Sequence, residues 1–111
     1  VVYYANYLKF FERARTEFLK SLNLSNKMLL TNHGVLIVVK SCNIEYKKSA
    51  KLEDELEIIS SVISKTKTSF IMKQVVKLDQ VLISEAETHL VTVNQEGKPV
   101  QIPKILNDFL D

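Results

Sequence analysis

The stretch Asn32-His33-Gly34-Val35-Leu36-Ile37-Val38-Val39 divides the chain into two kinds of sequence. On its N-terminal side, Leu8, Phe11, Ala14, Phe18 and Leu22 recur every three or four positions, while Lys9, Arg13, Glu17 and Lys20 occupy the other side. That spacing predicts an amphipathic helix over Ala5–Leu22. Asn6 reads as its cap, the Arg13–Glu17 pair one turn apart supports it, and Asn23 reads as its stop. Ser25–Thr31 reads as a short second helix, ended by Asn32-His33-Gly34, with His33 a turn residue.

Beyond Gly34 the apolar period drops to two and β-branched residues dominate, which predicts strands. Four are expected: Val35–Tyr46; Leu56–Lys65, with Leu56, Ile58 and Val62 on one face; Thr68–Leu78, with Phe70, Met72, Val76 and Leu78 aligned; and Val81–Asn94. The links Thr66-Lys67 and Asp79-Gln80 are too short for parallel crossovers, so the sheet is antiparallel. Gln95-Glu96-Gly97-Lys98-Pro99 reads as a turn, and Lys104–Leu110 as a last short helix beginning after Pro103. One helix followed by long strands gives an α+β domain whose sheet wraps the helix and buries its apolar face on Leu8, Phe11, Phe18 and Leu22.

A length of 111 residues, 46% of them apolar and 25% charged, fits one domain over 1–111 and leaves no room for two. The net charge of +2 with 8% aromatic residues carries no nucleic-acid footprint. No uninterrupted apolar run is longer than Val35–Val39, far below the roughly 18–20 residues of a membrane-spanning helix, so a soluble protein is expected. The single cysteine, Cys42, cannot build a disulfide framework and no secretion signal opens the chain; a reducing cytoplasm and a buried, inert Cys42 are expected. Glu85, Glu87 and His89 share one face of a strand, but with no second His or Cys nearby no metal site is assigned, and no cofactor is called for. Glycine-rich phosphate loop, serine nucleophile elbow and paired-cysteine metal motif are all absent from the sequence. The chain opens on Val1-Val2-Tyr3-Tyr4 without an initiator Met and reads as a segment of a longer protein.

The segment Val1-Val2-Tyr3-Tyr4-Ala5-Asn6-Tyr7-Leu8-Lys9-Phe10-Phe11-Glu12-Arg13-Ala14-Arg15-Thr16-Glu17 closely resembles the signature of the 4-hydroxybenzoyl-CoA thioesterase family, and within it the acyl-CoA thioesterases associated with the Tol-Pal system. The likeness continues through Cys42-Asn43-Ile44-Glu45-Tyr46, Leu52–Ile58, Thr68-Ser69-Phe70, Glu85-Ala86-Glu87 and Gly97–Pro103. It implies the hotdog fold, a long antiparallel sheet wrapped around a central helix, with the first strand lying upstream of Val1. It also implies hydrolysis of acyl-CoA to free acid and CoA by a homodimer or a homotetramer built from dimers. Three positions depart from the pattern. The catalytic Asp that the family places shortly before Val-Val-Tyr lies outside this sequence. Tyr4 stands where the Tol-Pal enzymes usually have His; a Tyr at that point is instead similar to the bacterial 4-hydroxybenzoyl-CoA thioesterases. Ser49 stands where Pro is common.

Thioester hydrolysis needs a group that activates water or attacks the carbonyl, and a donor for the charge that develops on its oxygen. The resemblance assigns the donor to the Tyr4 backbone N–H at the helix start, where free amides and the helix dipole favour negative charge. It also sets Asn6 and Tyr7 against the substrate and turns Glu12 toward the acyl pocket across a subunit boundary. By residue type alone, Tyr3, Tyr4 and Tyr7 are packing residues, and Glu12 is equally a surface carboxylate paired with Arg13 or Arg15, worth less than about 1 kcal/mol. For the CoA phosphates the resemblance singles out Lys65, Thr66, Lys67, Thr68 and Ser69, cations and hydroxyls at a strand connection, although a lysine-rich hairpin also simply keeps a turn soluble. Lys47, Lys48 and Lys51 form a second basic loop, read as solvated. The alternative function is a non-catalytic hotdog module binding acyl-CoA or acyl carrier protein. A hotdog dehydratase ranks last, since its catalytic His has no counterpart in Ala5–Leu22.

Overall fold

A computed structural model describes residues 4–48 and 55–110, with side chains from Leu8 onward in the first helix. Tyr3, Ser49, Lys51, the 52–54 part of the family likeness and the side chains of Tyr4, Asn6 and Tyr7 lie outside the described residues. Helix α1 spans Tyr4–Ser21. Asn6 is therefore not its cap but its third residue, because the helix starts two residues before Asn6. Asn23 ends it in the left-handed region at φ 60°, while the Leu24 N–H reaches back to the Leu19 carbonyl at 2.9 Å. Asparagine tolerates that conformation, and the backward bond satisfies a terminal carbonyl.

Helix α2 covers Asn26–His33 rather than starting at Ser25. Ser25 is its cap, accepting the Met28 N–H at 3.0 Å, and Gly34 closes it at φ 66° with its N–H on the Leu30 carbonyl. Strands β1 (Leu36–Tyr46), β2 (Glu57–Lys65), β3 (Ser69–Leu78) and β4 (Val81–Val93) form one antiparallel sheet in the order β1-β4-β3-β2. Asp79 and Gln80 join β3 to β4 with φ of 49° and 71°, the pair of left-handed residues that a two-residue hairpin turn demands. Helix α3 is confined to Lys104–Asn107, shorter than expected, and the chain turns at Asp108 and Phe109 before Leu110 is buried again.

The apolar face of α1 lies on the inner face of the sheet, made by the alternate residues Phe70, Met72, Val76 of β3 and Ala86, Leu90 of β4. Phe11, 1% exposed, packs with Val76, Ile83 and Ala86 near one end. Phe18, Leu19 and Leu22 pack with Leu24, Leu29, Phe70, Met72, Leu90 and Leu106 toward the other. Two expectations fail here. Leu8 is 49% exposed. Three residues before Phe11, it sits about 60° around the helix, on a flank that turns away from the central strands. Cys42 is exposed rather than buried, because it lies on β1, an edge strand that α1 covers only in part.

Truncating Leu29, which is fully buried, to Ala should cost about 2–5 kcal/mol in a urea unfolding titration. Leu8→Ala should stay within about 0.5 kcal/mol of the parent, and equal losses would contradict this packing.

Candidate active site

One flank of α1 carries Glu12, Arg15, Thr16 and Leu19, spaced three and four apart and so aligned along the helix. Across from it stand Ile37 and Val39, inner-face residues of β1, and between them opens a cavity of about 140 Å³ floored by Phe70, Met72 and Leu90 and closed by Leu106 and Leu110. An apolar cavity of similar size, about 150 Å³, holds benzene in another protein. Glu12 is exposed and lines this cavity, and Arg15 is half-buried beside it. Burial pulls Arg15 below its ordinary pKa, an effect that the nearby Cys42 and Glu12 partly offset. The guanidinium stays charged, since arginine does not lose its proton in proteins.

Arg15 is held by a residue that the sequence reading does not single out. Gln74 of β3 is fully buried on the inner face, and its Oε1 accepts Arg15 Nη1 at 3.1 Å. Its Nε2 donates to the Phe11 carbonyl at 3.0 Å and to Ser60 Oγ at 3.1 Å. A buried amide with both donors and its acceptor engaged ties α1 to β2 and β3 in one network. The signal is there in the sequence. Gln74 interrupts the apolar alternation Phe70, Met72, Val76, Leu78, and a polar residue on an apolar face is the informative exception. Nearby, Cys42 Sγ lies 3.4 Å from Thr88 Oγ1, on the part of the inner face that α1 leaves open.

Tyr4 is the first residue of α1, so its N–H has no helical carbonyl four residues back to bond. Asn6 and Tyr7 follow within the first turn. These residues lie beyond the Phe11 end of the core. The lysine hairpin lies at the other end, where the Lys67 carbonyl accepts the Ile102 N–H. Within the chain the two candidate regions are thus separated by roughly the length of α1, about 27 Å at 1.5 Å per residue.

The hairpin is itself divided. Lys65, Thr66 and Lys67 line an open cavity of about 340 Å³ with Gln101, Ile102 and Asn107. Thr68 and Ser69 line a different one, with Lys40 and His89. Lys65 Nζ donates to the Asn107 carbonyl and Oδ1 at 3.3 and 3.2 Å, which ties it to the end of α3. Lys67 is exposed. The Ser69 hydroxyl is bonded to Thr66 Oγ1 at 2.7 Å, and the Thr68 carbonyl takes the Thr92 N–H and hydroxyl. In the second basic loop, Lys47 pairs with Glu45 at 2.7 Å. On the outer face, Glu85 lies 3.9 Å from Lys73, and among the described residues no three His, Cys, Asp or Glu side chains converge. No helix among them is long and apolar enough to cross a membrane.

The family model of the thioesterase-like superfamily matches residues 1–110. The acyl-CoA thioesterase YbgC of Haemophilus influenzae is 37% identical over 105 residues, covering 94% of this chain and 77% of that protein. The acyl-CoA thioester hydrolase YbgC of Escherichia coli is 39% identical over 106 residues, covering 94% and 78%. Among solved structures, a probable thioesterase from Bartonella henselae superposes with a TM-score of 0.87 at 30% identity, covering 93% of this chain and 86% of its own. A hypothetical protein from Aquifex aeolicus gives 0.90 at 28%, covering 100% and 86%. This chain belongs to the thioesterase-like superfamily, and its antiparallel sheet laid against one long helix is the hotdog fold.

Proposed function

We infer that this protein is an acyl-CoA thioesterase: water adds to the thioester carbonyl, the carbon–sulfur bond breaks, and free acid and CoA thiol leave. The observation that carries this reading is the likeness to two acyl-CoA thioester hydrolases sustained along 94% of the chain. In the mechanism, the Tyr4 N–H at the start of α1 donates to the carbonyl oxygen as negative charge builds there, helped by the helix dipole. The water-activating carboxylate that the resemblance sets ahead of Val1 is outside this sequence, so the assignment concerns the half of the site contained here. Asn6, Tyr7 and Glu12 border the acyl group. Lys67, with Lys65, Thr68 and Ser69 around the same hairpin, meets the nucleotide phosphates.

The separation of these regions within one protomer favours a site shared by two. Among the described residues, strand β1 has one neighbour in the sheet, β4, and no strand on its other edge. Its Val38 and Val39 are 40% and 51% exposed, on opposite faces. A second copy pairing antiparallel along that edge would extend the sheet and reverse its direction, bringing the Tyr4 end of one protomer toward the hairpin end of the other. A homodimer, or a homotetramer of two such dimers, follows. The compartment assigned is the cytoplasm, where the free Cys42 thiol stays reduced. Acyl carrier protein, which presents a thioester of the same kind, belongs to the reading as a second carrier.

The direct test is thiol release by the full-length protein from a panel of short, long and aromatic acyl-CoA esters. Turnover of at least one class is expected, whereas saturable binding without thiol release would make the protein a binding module. Lys67→Glu should raise KM about tenfold and leave kcat within threefold, and an unchanged KM would remove Lys67 from the phosphate site. Lys65→Met, which empties the Asn107 contacts, should lower stability by about 1–3 kcal/mol in chemical denaturation, a loss that Lys67→Met should not show.

A further inference from the structure

We propose that Gln74 is a positioning residue for this hydrolysis: its side-chain amide pins the height and rotation of α1 on the sheet, and with them the aim of the Tyr4 N–H. The proposal rests on the thioesterase reading given above.

Among the described residues, the core packing of α1 on the sheet is apolar, with Phe10, Phe11, Phe18, Leu19 and Leu22 taking part. Such contacts resist separation but are non-directional, and they leave a helix free to slide or roll slightly over a flat apolar floor. The Gln74 amide is directional. Its orientation is dictated by chemistry: the Phe11 carbonyl can only accept and the Arg15 guanidinium can only donate, so Nε2 must face Phe11 and Oε1 must face Arg15. A carbonyl has two lone pairs, so Phe11 can serve the helix with one and Gln74 with the other. Ser60 on β2 fixes the amide from the far side at 3.1 Å. The pin therefore joins a main-chain atom of the helix to two strands.

Tyr4 lies seven residues upstream of Phe11 on the same helix, about 10 Å along its axis at 1.5 Å per residue. A helix of that length moves as a rigid rod, so a displacement at Phe11 is carried to the Tyr4 amide. Misplacing a catalytic group by about 1 Å can cost about a hundredfold in rate. A buried amide at the centre of an apolar face has a cost of its own, which its three satisfied contacts offset. A leucine there would pack α1 without pinning it.

The test uses the full-length enzyme with Gln74→Met, Gln74→Glu and, as control, Ser61→Ala, an exposed neighbour on β2 whose hydroxyl faces the Lys73 carbonyl and not the amide. Methionine keeps the length of the side chain and removes its polar atoms. Glutamate keeps the acceptor for Arg15 and removes the donor to Phe11. Thiol-release kinetics are normalised to folded protein. In parallel, infrared difference spectra follow the carbonyl of a ¹³C-labelled hexanoyl-CoA ketone analogue, with methylene in place of the thioester sulfur, bound to each variant. Both Gln74 variants should lose kcat at least tenfold with KM within threefold, and should lose at least half of the red shift that the wild-type site imposes on the carbonyl. Ser61→Ala should match wild type within twofold. Should Gln74→Met fail to fold, Gln74→Glu decides. Lower melting temperatures with unchanged kcat and carbonyl frequency would overturn the proposal, leaving Gln74 a structural residue only. Wild-type protein that neither releases thiol nor shifts the carbonyl would overturn the thioesterase reading and this inference with it.

Discussion

A four-stranded sheet with strands about 4.8 Å apart presents an inner face wider than the roughly 10 Å of one helix, and the rest of this structure follows from that mismatch. Helix α1 covers the two central strands, β3 and β4, whose inner residues are buried in alternation along most of their length. The flanking strands β1 and β2 are left half-covered. On the β1 side the uncovered strip includes Val39 and Cys42 and borders the cavity that Glu12 and Arg15 line. An apolar strip therefore lies beside the edge of β1 that carries no further strand among the described residues.

The inner face is also more polar than a simple core. Ser84, Gln74, Thr88 and Thr92 are all fully buried there. Each is satisfied within the described residues: Ser84 Oγ donates to the Glu45 carbonyl, Thr92 Oγ1 to the carbonyls of Thr68 and Val100, and Thr88 Oγ1 meets Cys42 Sγ. These bonds tie β4 to the strands and loops around it with directional contacts, which hold a floor of fixed shape beneath the helix.

Much of this architecture is legible in the amino-acid sequence. The change from a 3.6 to a 2 period at Gly34 separates helix from sheet, and Asp79-Gln80 supplies a hairpin turn that only antiparallel strands can use. Those signals are local, written in propensity and turn chemistry. Leu8 and Cys42 mislead because both sit on apolar periods that say which face points inward, but not whether another element covers that face. Coverage depends on the width of α1 and on the place of β1 in a sheet order assembled from residues far apart in sequence. Lys65 falls in with Lys67 for the same reason. Only the return of α3 beside the hairpin reveals that its ammonium is held by Asn107. Gln74 leaves a trace in the alternation of β3, yet its partners Phe11 and Ser60 lie on other elements, and nothing local to β3 names them.

The central claim is that a main-chain amide, at the start of a helix held by the sheet, is aimed at the reacting carbonyl. Tyrosine-selective ¹⁵N labelling makes it measurable by following the Tyr4 amide proton while the protein is titrated with two unreactive CoA derivatives, a ketone that keeps the carbonyl and a thioether that lacks it. A downfield shift of the Tyr4 resonance with the ketone and little or none with the thioether is predicted. A Tyr4 amide that ignores both ligands, or responds equally to both, would contradict the account.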